Sequence, residues 1–185
     1  MNARHRLAIT ACTAVGALLG AAGCAEPRPA PSAPASAATS AAFGGTDLAW
    51  IEITIAMDEQ LLPLLALAPQ HGQPAMAALT ARVRTSTEAE LTALRALRDE
   101  AGLPAQNPHE GMPMPGMVTA DQVTQAAKLT GAPFDAFARQ KIAEAARQGQ
   151  SLAESEQRNG MEPRTRTLAA NAVSTYTRTL SSLPG

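Results

Sequence analysis

Aromatic residues, cysteine and charge of either sign in excess are what this sequence has least of. Its 185 residues include one tryptophan, one tyrosine and three phenylalanines. Hydrophobicity comes mostly from alanine and leucine, with few of the β-branched and aromatic side chains that favour strands, so helices are expected. The two cysteines, Cys12 and Cys24, both lie near the N-terminus, which excludes a disulfide framework for the rest of the chain. The formal net charge of -1 gives no basic excess for a phosphate-binding face, so no nucleic-acid partner is expected. A Gly-x-Ser-x-Gly turn, a glycine-rich phosphate loop and a cysteine nucleophile in the folded part are all missing, and the chain is not expected to be an enzyme. The three histidines are His5, His71 and His109, and none stands in the Glu-x-x-His spacing of a ferritin-type di-metal site.

What is present at the N-terminus is an address. Arg4 and Arg6 form a positive region, and Leu7 to Leu19 is an apolar run too short to span a bilayer. Ala21-Ala22-Gly23-Cys24 follows, small residues ending on a cysteine. This resembles a bacterial lipobox, although Ala21 stands where leucine is usual. The expectation is a signal peptide over residues 1–23 and a lipidated Cys24 that anchors the mature chain to the outer face of the cell membrane, two acyl chains being enough for stable attachment. An ordinary secretory signal with a chance cysteine is the alternative. Residues 24–45, rich in proline, alanine and serine, have no apolar period and are expected to form a disordered tether.

The folded domain is expected over residues 46–185. Thr46 or Asp47 can cap a helix from Leu48 that carries Trp50, Ile51, Ile55, Leu61 and Leu65 and bends at Pro63 or tolerates it. The punctuation from Pro69 to Pro74 reads as a turn, with His71 solvated in it. A second helix is expected from Pro74 to Ala101, a short one from Thr119 to Gly131, a third long one from Phe134 to Arg158, and a last one from Glu162 or Pro163 to Ser182. Trp50 and Tyr176 are expected in the core. Pro74, Leu79, Leu91 and Leu94 recur with the same spacing as Pro163, Leu168, Leu180 and Leu183, and Ile55-Ala56 recurs as Ile142-Ala143. The repeat implies two helical hairpins packed as a four-helix bundle.

Between the hairpins lies His109-Glu110-Gly111-Met112-Pro113-Met114-Pro115-Gly116-Met117, with three of the seven methionines. Thioethers are soft ligands that suit Cu(I), and they stay unprotonated at any pH. Met112, Met114 and Met117, with His109 as a nitrogen donor, are therefore the candidate metal site. The competing reading is flexible apolar filler at the end of the bundle. Met57, Asp58, Glu59 and Glu144 could form a degenerate site, with Asp58 and Glu144 accepting a harder cation; Asp58 and Glu59 on a solvated face is the preferred expectation.

The Met114-Pro115-Gly116-Met117 loop, the short helix and Gly131-Ala132-Pro133-Phe134-Asp135 opening a long helix together resemble the exported ferritin-like "domain of unknown function 305" family, over about residues 46–183. The resemblance implies an all-α, ferritin-like bundle of two hairpins and, for some members, copper binding outside the cytoplasm. Members usually carry a His-His pair in the first helix of each hairpin. Here Met57-Asp58 and Glu144-Ala145 stand in those places. Two functions are thus expected to compete: a lipid-anchored Cu(I)-binding module, and a metal-free structural or protein-interaction module that has kept the scaffold.

Overall fold

The computed structural model describes residues 43–183. The signal segment, Cys24 and residues 25–42 of the tether lie outside the described residues. Five helices follow in order: α1 Gly45–His71, α2 Pro74–Glu100, α3 Ala120–Ala126, α4 Ala132–Asn159 and α5 Pro163–Ser182. No strand occurs among the described residues, so the all-α class is as expected. α1 begins at Gly45, with Phe43 already packed against the core. It runs unbroken through Pro63 and Pro69 to His71. The expected turn at Pro69 is therefore shorter. Proline near a helix C-terminus removes one hydrogen bond, and Gly72 N–H donates to the Ala68 carbonyl at 2.9 Å to close the helix. Gly72 and Gln73 alone connect α1 to α2, whose first residue is Pro74, where a missing N–H costs nothing.

The helices pair as two hairpins, α1 with α2 and α4 with α5, and α1 packs along α4, while α2 and α5 meet more sparsely. The apolar core falls into two main parts. One end holds Leu61, Leu64, Leu65, Ala68, Met76, Leu79, Val83, Phe134, Ala138 and Ile142. The other holds Trp50, Ile51, Ile55, Leu91, Leu94, Leu97, Ala153, Ala169 and Ala172. Each long helix contributes to at least one of them. The residues between the two parts, Asp58 on α1, Thr87 and Glu90 on α2, Gly149 on α4 and Tyr176 on α5, form a polar layer across the bundle.

The hairpins are tied together by a reciprocal pair of aspartates. Asp47, in the first turn of α1, is fully buried and accepts from the backbone N–H groups of Met161 and Glu162 at 3.1 Å, in the α4–α5 turn. Asp135, in the first turn of α4, accepts from the N–H of Gln73 at 3.1 Å, in the α1–α2 turn. Gln73 and Glu162 are the N-cap residues of α2 and α5. Each carboxylate thus satisfies a helix-start donor of the other hairpin, with the favourable sign at a helix N-terminus. His71 reinforces the Asp135 end and is not simply solvated as expected. Its Nδ1 bonds the Leu129 carbonyl at 2.8 Å, its ring lies 5.7 Å from that of Phe134, and its own carbonyl accepts from Gly131 N–H at 2.7 Å.

The buried latch should matter more than the exposed one. Asp47→Ala leaves buried N–H groups unpaired and should cost roughly 3 kcal/mol, whereas Asp135→Ala should cost about 1 kcal/mol. Urea denaturation of both variants checks the order.

Candidate functional site

The loop between α2 and α3 is fastened over α1 and α4. Asn107 Nδ2 donates to the Glu52 carbonyl at 2.7 Å, and Asn107 Oδ1 accepts from His109 N–H at 2.9 Å. Met114-Pro115-Gly116-Met117 forms a tight turn closed by Met117 N–H to the Met114 carbonyl at 3.1 Å. Proline at its second position and Gly116 at φ +80° at its third are what a type II turn requires. Gly116 is also needed for space, since a β-carbon there would stand 2.5 Å from Gln148 Cβ and 3.1 Å from Met57 Cε. The turn thereby presses Met117 into the bundle.

The four loop residues singled out in the sequence have different fates. Met117 is buried with Ala56 and Met57, and Met114 packs against the same cluster, half-buried. Gln60 Nε2 donates to Met117 Sδ at 3.4 Å. Met112 is 47% exposed, outside the cluster. His109 is half-buried, and its Nδ1 is shielded with no hydrogen-bond partner. The loop therefore brings Met114 and Met117 to Met57, a helix methionine that is remote in sequence.

The second feature is the polar layer. Asp58 is 4% exposed, which corrects the expectation of a solvated face. Ile51, Thr54, Asp58, Leu61, Leu65 and Ala68 lie three or four residues apart on the buried stripe of α1, and Asp58 falls in register with them. Glu59, one residue on, lies half-buried at the surface and pairs with Arg95 at 2.7 Å. Glu144 does not join Asp58. It pairs with Lys141 at 2.7 Å, and hydrogen bonds from Lys141 and Gln140 hold its carboxyl below the ordinary range.

Asp58 instead shares a cavity with Glu90 and Tyr176, neither of which the sequence reading assigned to a site. Tyr176 Oη donates to Glu90 Oε1 at 3.1 Å. The ring lies on α4 where Gly149 leaves room, for a β-carbon there would meet the ring at 2.7 Å. Asp58 Oδ2 has no partner. Burial, then the charges of Glu90 and Glu59, push the Asp58 carboxyl well up. Burial raises Glu90 to about 7 despite the Tyr176 hydrogen bond. Burial and the two acids push the Tyr176 phenol up as well. Two signals for this layer stood in the sequence. Glu90 falls in the apolar register of Val83, Thr87, Leu91 and Leu94, and Gly149 interrupts a helix interior at a cost that some packing need has to justify.

A third acidic group closes the far end of the bundle and is structural. Glu162 caps α5 through Thr165 N–H at 2.5 Å and is held by Arg164 Nε at 2.8 Å. Arg164 also reaches Glu100 at 2.6 Å, joining α5 to α2. Glu156 is fully buried against Asp47. Burial and the Asp47 carboxylate beside it raise it to about 8, and neither Glu156 carboxyl oxygen has a hydrogen-bond partner among the described residues. Asp47 is lowered: burial alone would raise it, but the neighbouring Glu156 carboxyl and the hydrogen bonds from backbone N–H groups outweigh that.

Comparison with known proteins gives the family. The model of the "Domain of unknown function (DUF305)" family matches residues 47–184, and the chain belongs to that family. Two crystal structures share the fold. A DUF305 protein from Streptomyces coelicolor, described as a candidate secreted protein, superposes with a TM-score of 0.67 at 16% identity, over 75% of this chain and 89% of that one. A DUF305 fragment from Deinococcus radiodurans superposes with a TM-score of 0.67 at 14% identity, over 76% of this chain and 94% of the fragment. Among curated proteins nothing matches the chain.

The raised carboxyls fix a pH dependence. Asp58, Glu90 and Glu156 bind protons more tightly in the folded chain than in the unfolded one, so their contribution to stability is full in acid and is lost as pH rises, through about 7 for Glu90 and about 8 for Glu156, with Asp58 acting in the same direction. Asp47, Glu144 and Glu162 are lowered, so the stability they contribute is present above the ordinary carboxylate range and is lost only as pH falls below it. Urea unfolding in the presence of a chelator should show a less stable domain at about pH 8.5 than at about pH 5.5. Glu156→Gln should flatten that slope.

Proposed function

We propose that this DUF305 protein is a cell-envelope binding module, lipidated at Cys24 and carried on the tether, whose bundle takes Cu(I) at a thioether cluster of Met57, Met114 and Met117. The observation that supports it is the meeting of two loop methionines with a helix methionine under a turn that only glycine can make. The donor chemistry fits a soft monovalent ion. Thioethers bind Cu(I) without losing a proton, and the hydrogen bond from Gln60 occupies only one of the two lone pairs on the Met117 sulfur. Among the described residues no group of three or more histidine, cysteine or carboxylate side chains is placed to hold a metal, so the soft donors on offer are sulfur. His109, with a shielded and unpartnered Nδ1, is the nitrogen donor of the same loop. Met112, exposed at the surface, is the thioether that meets an arriving ion first. The proposed work is binding, with no catalytic step.

One observation favours the metal-free reading. Met117 is 5% exposed and its sulfur is already used by Gln60, as expected of a side chain that fills a gap between loop and helix. Titration of Cu(I) against a competing chelator under reducing conditions separates the two. One tightly bound Cu(I) per chain is expected. Leucine in place of Met57, Met114 and Met117 keeps the volume and should weaken binding by roughly 100-fold or more. Unchanged affinity in the triple variant would remove the cluster as the site, and no binding by the wild type would leave the scaffold as an interaction module. The anchor is checked separately: Cys24→Ser should abolish labelling by a radioactive fatty acid and release the protein from the membrane fraction.

A further inference from the structure

The cavity in the polar layer is a second candidate ligand site, which shares only Met57 with the thioether cluster. It lies where the two hairpins face each other. The repeat that aligns Pro74 with Pro163 also aligns Ser86 with Thr175, Thr87 with Tyr176 and Glu90 with Thr179, and all six residues line the cavity. The repeat that aligns Ile55 with Ile142 aligns Asp58 with Ala145, and both of these line it too. Duplication has therefore placed equivalent positions around one point, and only the first hairpin supplies carboxylates there.

We propose that this cavity binds one hard divalent cation, of the magnesium, manganese or calcium class, through the carboxylates of Asp58 and Glu90 and the hydroxyls beside them. Asp58 is 96% removed from solvent, and its Oδ2 lacks any donor. A carboxylate in that position is costly unless a positive charge or a proton meets it. Among the described residues no lysine, arginine or histidine lines the cavity, so a bound proton or an ion from outside the chain has to meet that oxygen. The space is about 20 Å³, room for one ion or one water. Apart from the Met57 thioether on its wall, its donor atoms are carboxylate and hydroxyl oxygens, the donor set of hard cations. Access exists along the seam between α2 and α5. Two grooves there, of about 260 and 230 Å³, share Ser86 and Thr175 with the cavity. The second of them also shares Glu90.

Addition of Mn2+ to the full chain, followed by electron paramagnetic resonance of the free ion, tests this. One Mn2+ per chain should bind, displaceable by Ca2+ or Mg2+, and binding should release protons and raise the melting temperature. Asp58→Asn, close to isosteric, should weaken Mn2+ binding by roughly 100-fold or more and abolish the thermal shift. Should that variant fail to fold, Glu90→Gln serves the same purpose. The Met114→Leu/Met117→Leu variant should bind Mn2+ as the wild type does, which keeps this site apart from the copper reading. No binding by the wild type between about pH 6 and pH 9 would overturn the proposal, the cavity then holding a proton and a water. Equal binding by wild type and Asp58→Asn would overturn it by placing the ion elsewhere.

Discussion

Two carboxylates cross between the hairpins, and the geometry of everything between them follows. Asp47 of α1 holds the start of α5, and Asp135 of α4 holds the start of α2. The two latches sit at opposite ends of the bundle, so neither hairpin can slide along the other without unpairing helix-start N–H groups. That fixed register sets Asp58, Glu90 and Tyr176 in one layer. It also sets Gln148 of α4 beside Met57 of α1, and the loop turn can lie over both only because its third residue is Gly116. The buried latch has its own cost, since Asp47 brings Glu156 and Glu162 with it, and the Glu156 carboxyl is buried with neither oxygen partnered among the described residues.

The interior is far from an optimum for stability. A run of apolar residues at 58, 87, 90 and 176 would merge the two main parts of the core. Instead a polar layer separates them, with one carboxylate oxygen unpartnered and a small cavity beside it. Buried polar groups of this kind cost free energy and are retained where they serve something else. The same holds for the methionines of the loop. Leucine would fill the space under Gly116 as well, and with stiffer rotamers, but it carries no donor atom. The molecule thus holds two adjacent sets of donors that differ in softness, with sulfur at the loop and oxygen in the bundle, and Met57 on the wall between them.

Much of this was legible in the sequence where a residue type has only one local use. Pro74 and Pro163 mark helix starts, the Pro115-Gly116 pair marks a type II turn, and the recurrence of leucines after each proline marks the duplicated hairpin. Phe134-Asp135 stood out as a family signature, and its physical use is now plain: the ring packs under His71 and the carboxylate receives Gln73. What stayed hidden depends on contacts between distant residues. Asp58 and Glu59 are neighbours with opposite fates, and only the stripe of Ile51, Thr54 and Leu61 around Asp58 tells which one turns inward. The Glu90–Tyr176 bond spans the two hairpins, so neither partner marks the other locally. Pro69 was misleading because a proline in the last turn of a helix costs little, and the helix ends at Gly72 instead. Met57 was visible as a residue but not as a partner of Met117, because that contact depends on how the loop folds back.

X-ray absorption at the copper edge on the Cu(I)-loaded full chain is the most direct measurement of the proposed centre, because it reads the donor atoms themselves. A shell dominated by sulfur, which loses a sulfur scatterer when Met57 is replaced by leucine, is the expected result. A shell of nitrogen and oxygen alone, or one that Met57→Leu leaves unchanged, would contradict a thioether site built from the loop and α1.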